Sequence, residues 1–332
     1  MNKALIGTQY ASRVVGRDPF DVEVVWEDLY NRIKDHGAQG FSITAPSGID
    51  IALWDVRGRA IGLPIHKLIG DARRKEVLAY ATGPYFIDTD RLVEEAVHEA
   101  LACKEQGFRA IKMKIGLGDP HLDLRRVKAV RDAVGPDTAL AVDADRCFTV
   151  PQATRLGRML EELDLLWFEE PISPEHHDGY AQVSQALDLA VADGENDFTR
   201  WGFRDVVARK AMDIVQSDVC AAGGISEMRK SATLASASGV ECVPHAWGSA
   251  IGLAATVQFL AALPDQPPAF RPGAADAGVR AGAEPAARRA GAGADRAAPG
   301  RRGGAGRPRA RRRGGPRGPG PLQGGLRPCW SR

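Results

Sequence analysis

From residue 77 to residue 263 the chain repeats one unit: a short apolar run, a polar loop, then a stretch with apolar residues every three or four positions. The short runs read as strands at 77–82, 110–115, 139–143, 165–169, 189–192, 213–216 and 240–244. The longer ones read as helices at 90–105, 121–133, 151–163, 174–187, 199–209, 226–238 and 249–262, with Pro151 and Pro174 near helix starts, where a missing N–H is tolerated. Strict alternation of strand and helix gives parallel strands joined by right-handed crossovers, hence a doubly wound sheet or a closed barrel. Polar residues decide between them. Lys114, Asp143, Glu169, Glu195, Asp218 and His245 each fall at or just past the C-terminal end of a strand, at intervals of 29, 26, 26, 23 and 27 residues. Only a closed barrel gathers successive strand ends on one face. The fold expected is α/β, a (β/α)8-type TIM barrel with seven strands visible and the eighth missing. Upstream, 22–35 has helical periodicity and 47–60 is a second, largely apolar helix, followed by Gly62-Leu63-Pro64 and a turn of helix to Gly70. These are too few for an independent domain and read as a remnant helical capping domain. The expected division is 1–75 for the cap remnant, 76–270 for the catalytic barrel and 271–332 for a tail.

Charge changes the picture at the end of the chain. The formal net charge of +2 conceals a tail, 271–332, with 15 Arg, no Lys and 3 acidic residues, which leaves 29 basic against 39 acidic residues before it. The tail also holds 15 Gly, 14 Ala and 8 Pro. Such a segment reads as disordered, and a nucleic-acid-binding arm is one explanation. Gly, Ala, Arg and Pro are also the four residues of GC-rich codons, so a shifted reading frame gives the same mixture, and the lack of Lys favours it. Nucleic acid is therefore not the expected partner. The first 17 residues carry no secretory apolar run, and no segment approaches a membrane span, so a cytoplasmic protein without membrane attachment is expected. Cys103, Cys147, Cys220, Cys242 and Cys329 show neither paired nor even spacing, which argues against disulfides and zinc.

The chemistry sits at the strand ends. In Ile111-Lys112-Met113-Lys114-Ile115 the period of two puts both lysines on one face, where mutual repulsion is expected to lower the pKa of one of them toward a useful base. Asp143, Glu169 and Glu195 end three consecutive strands with hard oxygen donors, a set suited to Mg²⁺. Glu170 points away by strand parity and reads as structural, while Asp145 shares the parity of Asp143. Asp218 and His245 end adjacent strands, so a carboxylate–imidazole bond is natural. Two bases flanking a metal suit proton transfer on two faces of one carbon. His176-His177 reads as a solvated loop pair, and Gly223-Gly224 lacks the order of a nucleotide-binding loop.

With these residues in hand, the chain resembles the enolase superfamily, and within it the mandelate racemase subgroup of the mandelate racemase/muconate lactonizing enzyme family. The resemblance rests on Lys112-Met113-Lys114, Asp143, Glu169-Glu170-Pro171, Gly194-Glu195-Asn196, Asp218 and Pro244-His245, and on the helix at 47–55. Leu29-Tyr30-Asn31, Ala79-Tyr80-Ala81-Thr82-Gly83, Asp218-Val219-Cys220 and Val243-Pro244-His245-Ala246-Trp247-Gly248 are similar to the galactarolactone cycloisomerases. The resemblance implies Mg²⁺ on Asp143, Glu169 and Glu195, Lys114 as one base tuned by Lys112, and His245 with Asp218 as the other. It implies removal of the proton alpha to a carboxylate of an acid sugar or its lactone, followed by loss of a beta oxygen. That is cycloisomerisation if the ring oxygen leaves and dehydration if a hydroxyl leaves. The small-molecule acid sugar is the expected partner, and full-length members imply a homo-oligomer. Asp145 stands where the family usually has Asn. Cap strands ahead of Met1 and an eighth barrel strand, both expected in the family, are not visible, so an inactive fragment that retains metal binding is a further expectation.

Overall fold

Residues 2–14 wind through short helical turns that carry Tyr10 into the core. They lack a clear apolar period and were not expected. Helix α1 (Val22–Ile33) forms because Val22, Val25, Trp26 and Leu29 recur on one face, and all four are buried. Helix α2 (Phe41–Ile61) begins before the expected 47, despite Pro46 inside it. The missing N–H of Pro46 frees the carbonyl of Ser42, which accepts from the Tyr10 hydroxyl at 3.4 Å. At the other end Gly62 turns left-handed (φ 70°), its neighbour Leu63 donating back to the Gly58 carbonyl at 3.0 Å, and Pro64 follows before the short helix α3 (Ile65–Ile69). Among the described residues no helix is long and apolar enough to cross a membrane.

The computed structural model describes residues 1–70, 73–86, 90–117 and 119–264, so the Arg-rich stretch 271–332 lies outside the described residues. All seven expected strands form: β1 (Ala81–Thr82), β2 (Ala110–Lys114), β3 (Ala139–Asp143), β4 (Phe168–Glu169), β5 (Val191–Asp193), β6 (Ile214–Val215) and β7 (Glu241–Cys242). They lie in chain order, each pair parallel. Between them run α4 (Leu92–Glu105), α5 (Pro120–Val134), α6 (Val150–Leu160), α7 (His177–Ala186), α8 (Thr199–Ala208) and α9 (Gly224–Ala237), and α10 (Ala250–Ala262) follows β7. Helix α7 starts at His177 rather than 174, because the Ser173 carbonyl closes a turn onto the His176 N–H at 3.0 Å.

The sheet curls as a barrel does. Tyr80, Ala110, Ala141, Trp167, Ala192, Ile214 and Val243, one from each strand or its flank, form a single buried cluster, which a flat sheet of this width would not allow. Three alanines in that layer make room for Tyr80 and Trp167, whose rings meet edge to face at 5.6 Å. Among the described residues β1 and β7 each pair on one side only. The loops beyond them nevertheless approach, with the rings of Tyr85 and Trp247 6.5 Å apart.

The N-terminal helices grip the start of α9. The Trp26 indole donates to the Gly223 carbonyl at 2.7 Å, Ser47 accepts from the Gly223 N–H at 3.0 Å, Asp50 accepts from the Ser226 N–H at 3.0 Å, and Trp54 donates to the Ser226 hydroxyl at 3.0 Å. Burial pushes the Asp50 carboxyl up to about 7.

Candidate active site

Parallel pairing aligns the chemistry. Lys114 lies opposite Asp143, and Asp143 opposite Glu169, in strand register, while Asp218 and His245 form a further parallel bridge beyond β6 and β7. Strand parity turns Lys112 and Lys114 inward together. Lys112 is buried, and Lys114, 22% exposed, reaches the mouth.

Both lysines end on carboxylates. Lys112 Nζ stands 3.1 Å from Asp143 Oδ2 and also bonds Glu169 Oε1, and Lys114 Nζ is 2.6 Å from Asp143 Oδ2. The expectation that lysine–lysine repulsion lowers a pKa therefore fails for Lys114. Burial pulls its pKa down, but the Asp143 charge and hydrogen bond outweigh both burial and Lys112, and the net shift is upward. Burial likewise opposes the charge on Asp143, yet the two ammonium groups hold it at about 2. Glu169 goes the other way: burial, joined by the Asp143 charge, outweighs Lys112 and lifts it to about 7.

Glu195 is turned elsewhere, with its Oε2 3.1 Å from His245 Nε2. Among the described residues no three His, Cys, Asp or Glu side chains close on one point. Of the three carboxylates expected to converge, Asp143 and Glu169 meet across Lys112, while Glu195 stands beside the other base. The expected dyad is present, with His245 Nδ1 2.7 Å from Asp218 Oδ2. Burial disfavours the imidazolium, but Asp218 and Glu195 together raise its pKa to about 9.

Two readings based on parity or loop position need correction. Glu170 lies just past β4 with φ 41°, so the alternation of the strand no longer governs it. It is buried, accepts from Asn196 Nδ2 at 2.7 Å, and is pushed up to about 9 by burial and then by the charges of Glu195 and Asp193. His177 is no free solvated residue, since its Nε2 lies 3.4 Å from Asp197 Oδ1. Asp145 is solvent-facing and paired with Arg146, though its N–H donates to Asp143 Oδ1 at 3.0 Å. Sequence reasoning also passed over Trp167 and Gln216, whose N–H groups both donate to Glu169 Oε2 at 2.8 Å. Each stands two residues before a strand-end carboxylate, which is the spacing that would have flagged them.

Residues 2–70 match the mandelate racemase / muconate lactonizing enzyme N-terminal domain, and residues 95–276 match the enolase C-terminal domain-like family. The D-galactarolactone cycloisomerase of Agrobacterium fabrum is 42% identical over 269 residues, covering 81% of this chain and 71% of that protein. The arabinonate dehydratase of Saccharolobus solfataricus is 39% identical over 242 residues, 73% of this chain and 64% of that protein. Among solved structures, a racemase from Streptomyces coelicolor A3(2) with bound magnesium superposes with a TM-score of 0.74 at 31% identity, over 86% of this chain and 78% of that one.

Proposed function

The chain belongs to the mandelate racemase/muconate lactonizing enzyme family of the enolase superfamily, and on that premise we propose that it removes the proton alpha to the carboxylate of an acid-sugar lactone and opens the ring by loss of the beta oxygen. The observation that carries this reading is the pairing of two proton-transfer groups, at the end of β2 and just beyond β7, with a band of buried carboxylates between them.

Asp143, Glu169 and Glu195 would hold a Mg²⁺ ion. The donor set fits it: the oxygens are hard, they come from successive strand ends, and burial first and neighbouring carboxylates second oppose ionisation of Glu169 and Glu170, an opposition that a divalent cation would relieve. When bound, the divalent cation would supply the positive charge that a carboxylate needs as it takes on a second negative charge, and would offset the Asp143 charge that now favours the Lys114 ammonium.

Within the protein, Lys114 takes the alpha proton and needs its neutral form to do so. Lys112 supplies a positive charge nearby. His245, held by Asp218 in one orientation and protonated at neutral pH, delivers its Nε2 proton to the departing oxygen. Ring-oxygen loss gives cycloisomerisation, as the 42% identical relative is named for, and hydroxyl loss gives dehydration, as the 39% identical relative is named for.

The test is proton NMR of D-galactarolactone in D₂O with Mg²⁺ and the full chain. Exchange at the alpha carbon with ring opening is expected, and both should fall at least about a thousandfold in Lys114→Ala, as loss of a general base predicts. His245→Ala should impair ring opening by at least about a hundredfold while sparing much of the exchange. Unchanged exchange in Lys114→Ala overturns the assignment of the base.

A further inference from the structure

Two adjoining carboxylates each already have partners. Glu169 Oε2 accepts from Trp167 Nε1 and Gln216 Nε2, each at 2.8 Å, and its Oε1 accepts from Lys112. Asp143 Oδ1 accepts the Asp145 N–H at 3.0 Å, and its Oδ2 faces Lys112 at 3.1 Å and Lys114 at 2.6 Å. The Lys112 ammonium is therefore lodged between Glu169 Oε1 and Asp143 Oδ2, 2% exposed, with the Tyr80 ring centroid 5.7 Å from Nζ.

We propose that Lys112 is the internal counter-ion of the metal-free site, and that its ammonium and a divalent cation are alternative occupants of the space between Asp143 and Glu169. This rests on the Mg²⁺ reading above. Two carboxylates that are register neighbours and both about 1% exposed cannot stay ionised together without positive charge between them. Lys112 is placed to supply it. A Mg²⁺ ion held by Asp143 and Glu169 would draw on the same two carboxylates, since it binds through carboxylate oxygens in a tight shell. The donors on Glu169 Oε2 come from an indole and an amide fixed in the barrel, whereas the ammonium ends a flexible four-carbon stem. Lys112 is thus the partner that yields. Trp167 and Gln216 hold Glu169 in place whichever cation is present, and Lys112 acts as a positioning residue that keeps the two carboxylates together until the metal arrives. The antagonism is reciprocal: whatever free energy Lys112 contributes to the metal-free site is subtracted from metal affinity.

The experiment is Mg²⁺ titration by calorimetry on the full chain, comparing wild type, Lys112→Met, Lys112→Arg and Asp143→Asn, with thermal unfolding followed with and without metal. Lys112→Met should bind Mg²⁺ about tenfold more tightly than wild type, and should unfold at a lower temperature without metal but not with saturating metal. Lys112→Arg, which keeps the charge in place, should bind no more tightly than wild type. A residue that merely packed the barrel would weaken binding when changed. If Lys112→Met folds only in the presence of Mg²⁺, the metal has replaced the ammonium and the proposal stands. In addition, nitrogen-resolved NMR of the lysine ammonium groups in the wild type should show the Lys112 signal, assigned by its absence from Lys112→Met, moving on saturation with Mg²⁺. A Lys112→Met protein that binds no more tightly than wild type, or a Lys112 signal that does not move, overturns the proposal. If wild type binds Mg²⁺ and Asp143→Asn does not, the metal reading survives that result. If neither wild type nor Lys112→Met binds Mg²⁺, both fall.

Discussion

At His245 the competing forces fix a pH window. Burial disfavours its charged form, but the bond to Asp218 and the charge of Glu195 win, so its pKa climbs from 6.5 to about 9. A group whose pKa is raised by folding stabilises the fold fully below its unfolded value and loses that contribution as pH rises through the folded value. The contribution of His245 should therefore be complete below 6.5 and fade as the pH passes about 9. Urea unfolding of wild type and His245→Gln across that range should show the wild type losing stability more steeply, and parallel curves would remove His245 as the cause. In Asp218→Asn the imidazole should lose its proton closer to neutral pH, a change read directly from the histidine ring protons by NMR.

At the level of elements, the clamp between α2 and α9 includes one buried carboxylate that holds two of its bonds. Asp50 accepts both the N–H and the hydroxyl of Ser226, at 3.0 and 2.5 Å. Asp50→Ala leaves two buried donors without their acceptor and should cost about 3 kcal/mol in urea unfolding; a cost below about 1 kcal/mol would mean that other acceptors replace the carboxylate. The same contrast explains what the sequence made legible. Strands and helices were readable because polar strand-end residues recur at nearly constant intervals and the helices carry a period, both local properties. Helix α2 was longer than its pattern because a distant hydroxyl, that of Tyr10, compensates for Pro46. The dyad of Asp218 and His245 was readable since neighbouring strands in chain order are neighbours in space. The turning of Glu195 toward His245, the left-handed backbone at Glu170 and the lodging of Lys112 between two carboxylates depend on which of several partners a side chain reaches, and no spacing encodes that.

Across the whole molecule, the inner layer of seven side chains gathers into one cluster, while hydrogen bonding among the described residues leaves the sheet open between β1 and β7. Strands β3 and β4 are bonded on both sides, and β1 and β7 on one. Hydrogen exchange should therefore release the amides of 81–82 and 241–242 well before those of 139–143, and equal protection would mean that the outer strands are covered on their second side as well. The grip of the N-terminal helices on α9 joins Trp26 to Gly223 and Trp54 to Ser226, partners 197 and 172 residues apart. At about 5–20 residues per second, a ribosome needs on the order of ten seconds or more to make the intervening chain. For that interval both tryptophans have been synthesised and their receptors have not, so these helices are made early and placed late, with their apolar faces uncovered until β6 and α9 are out.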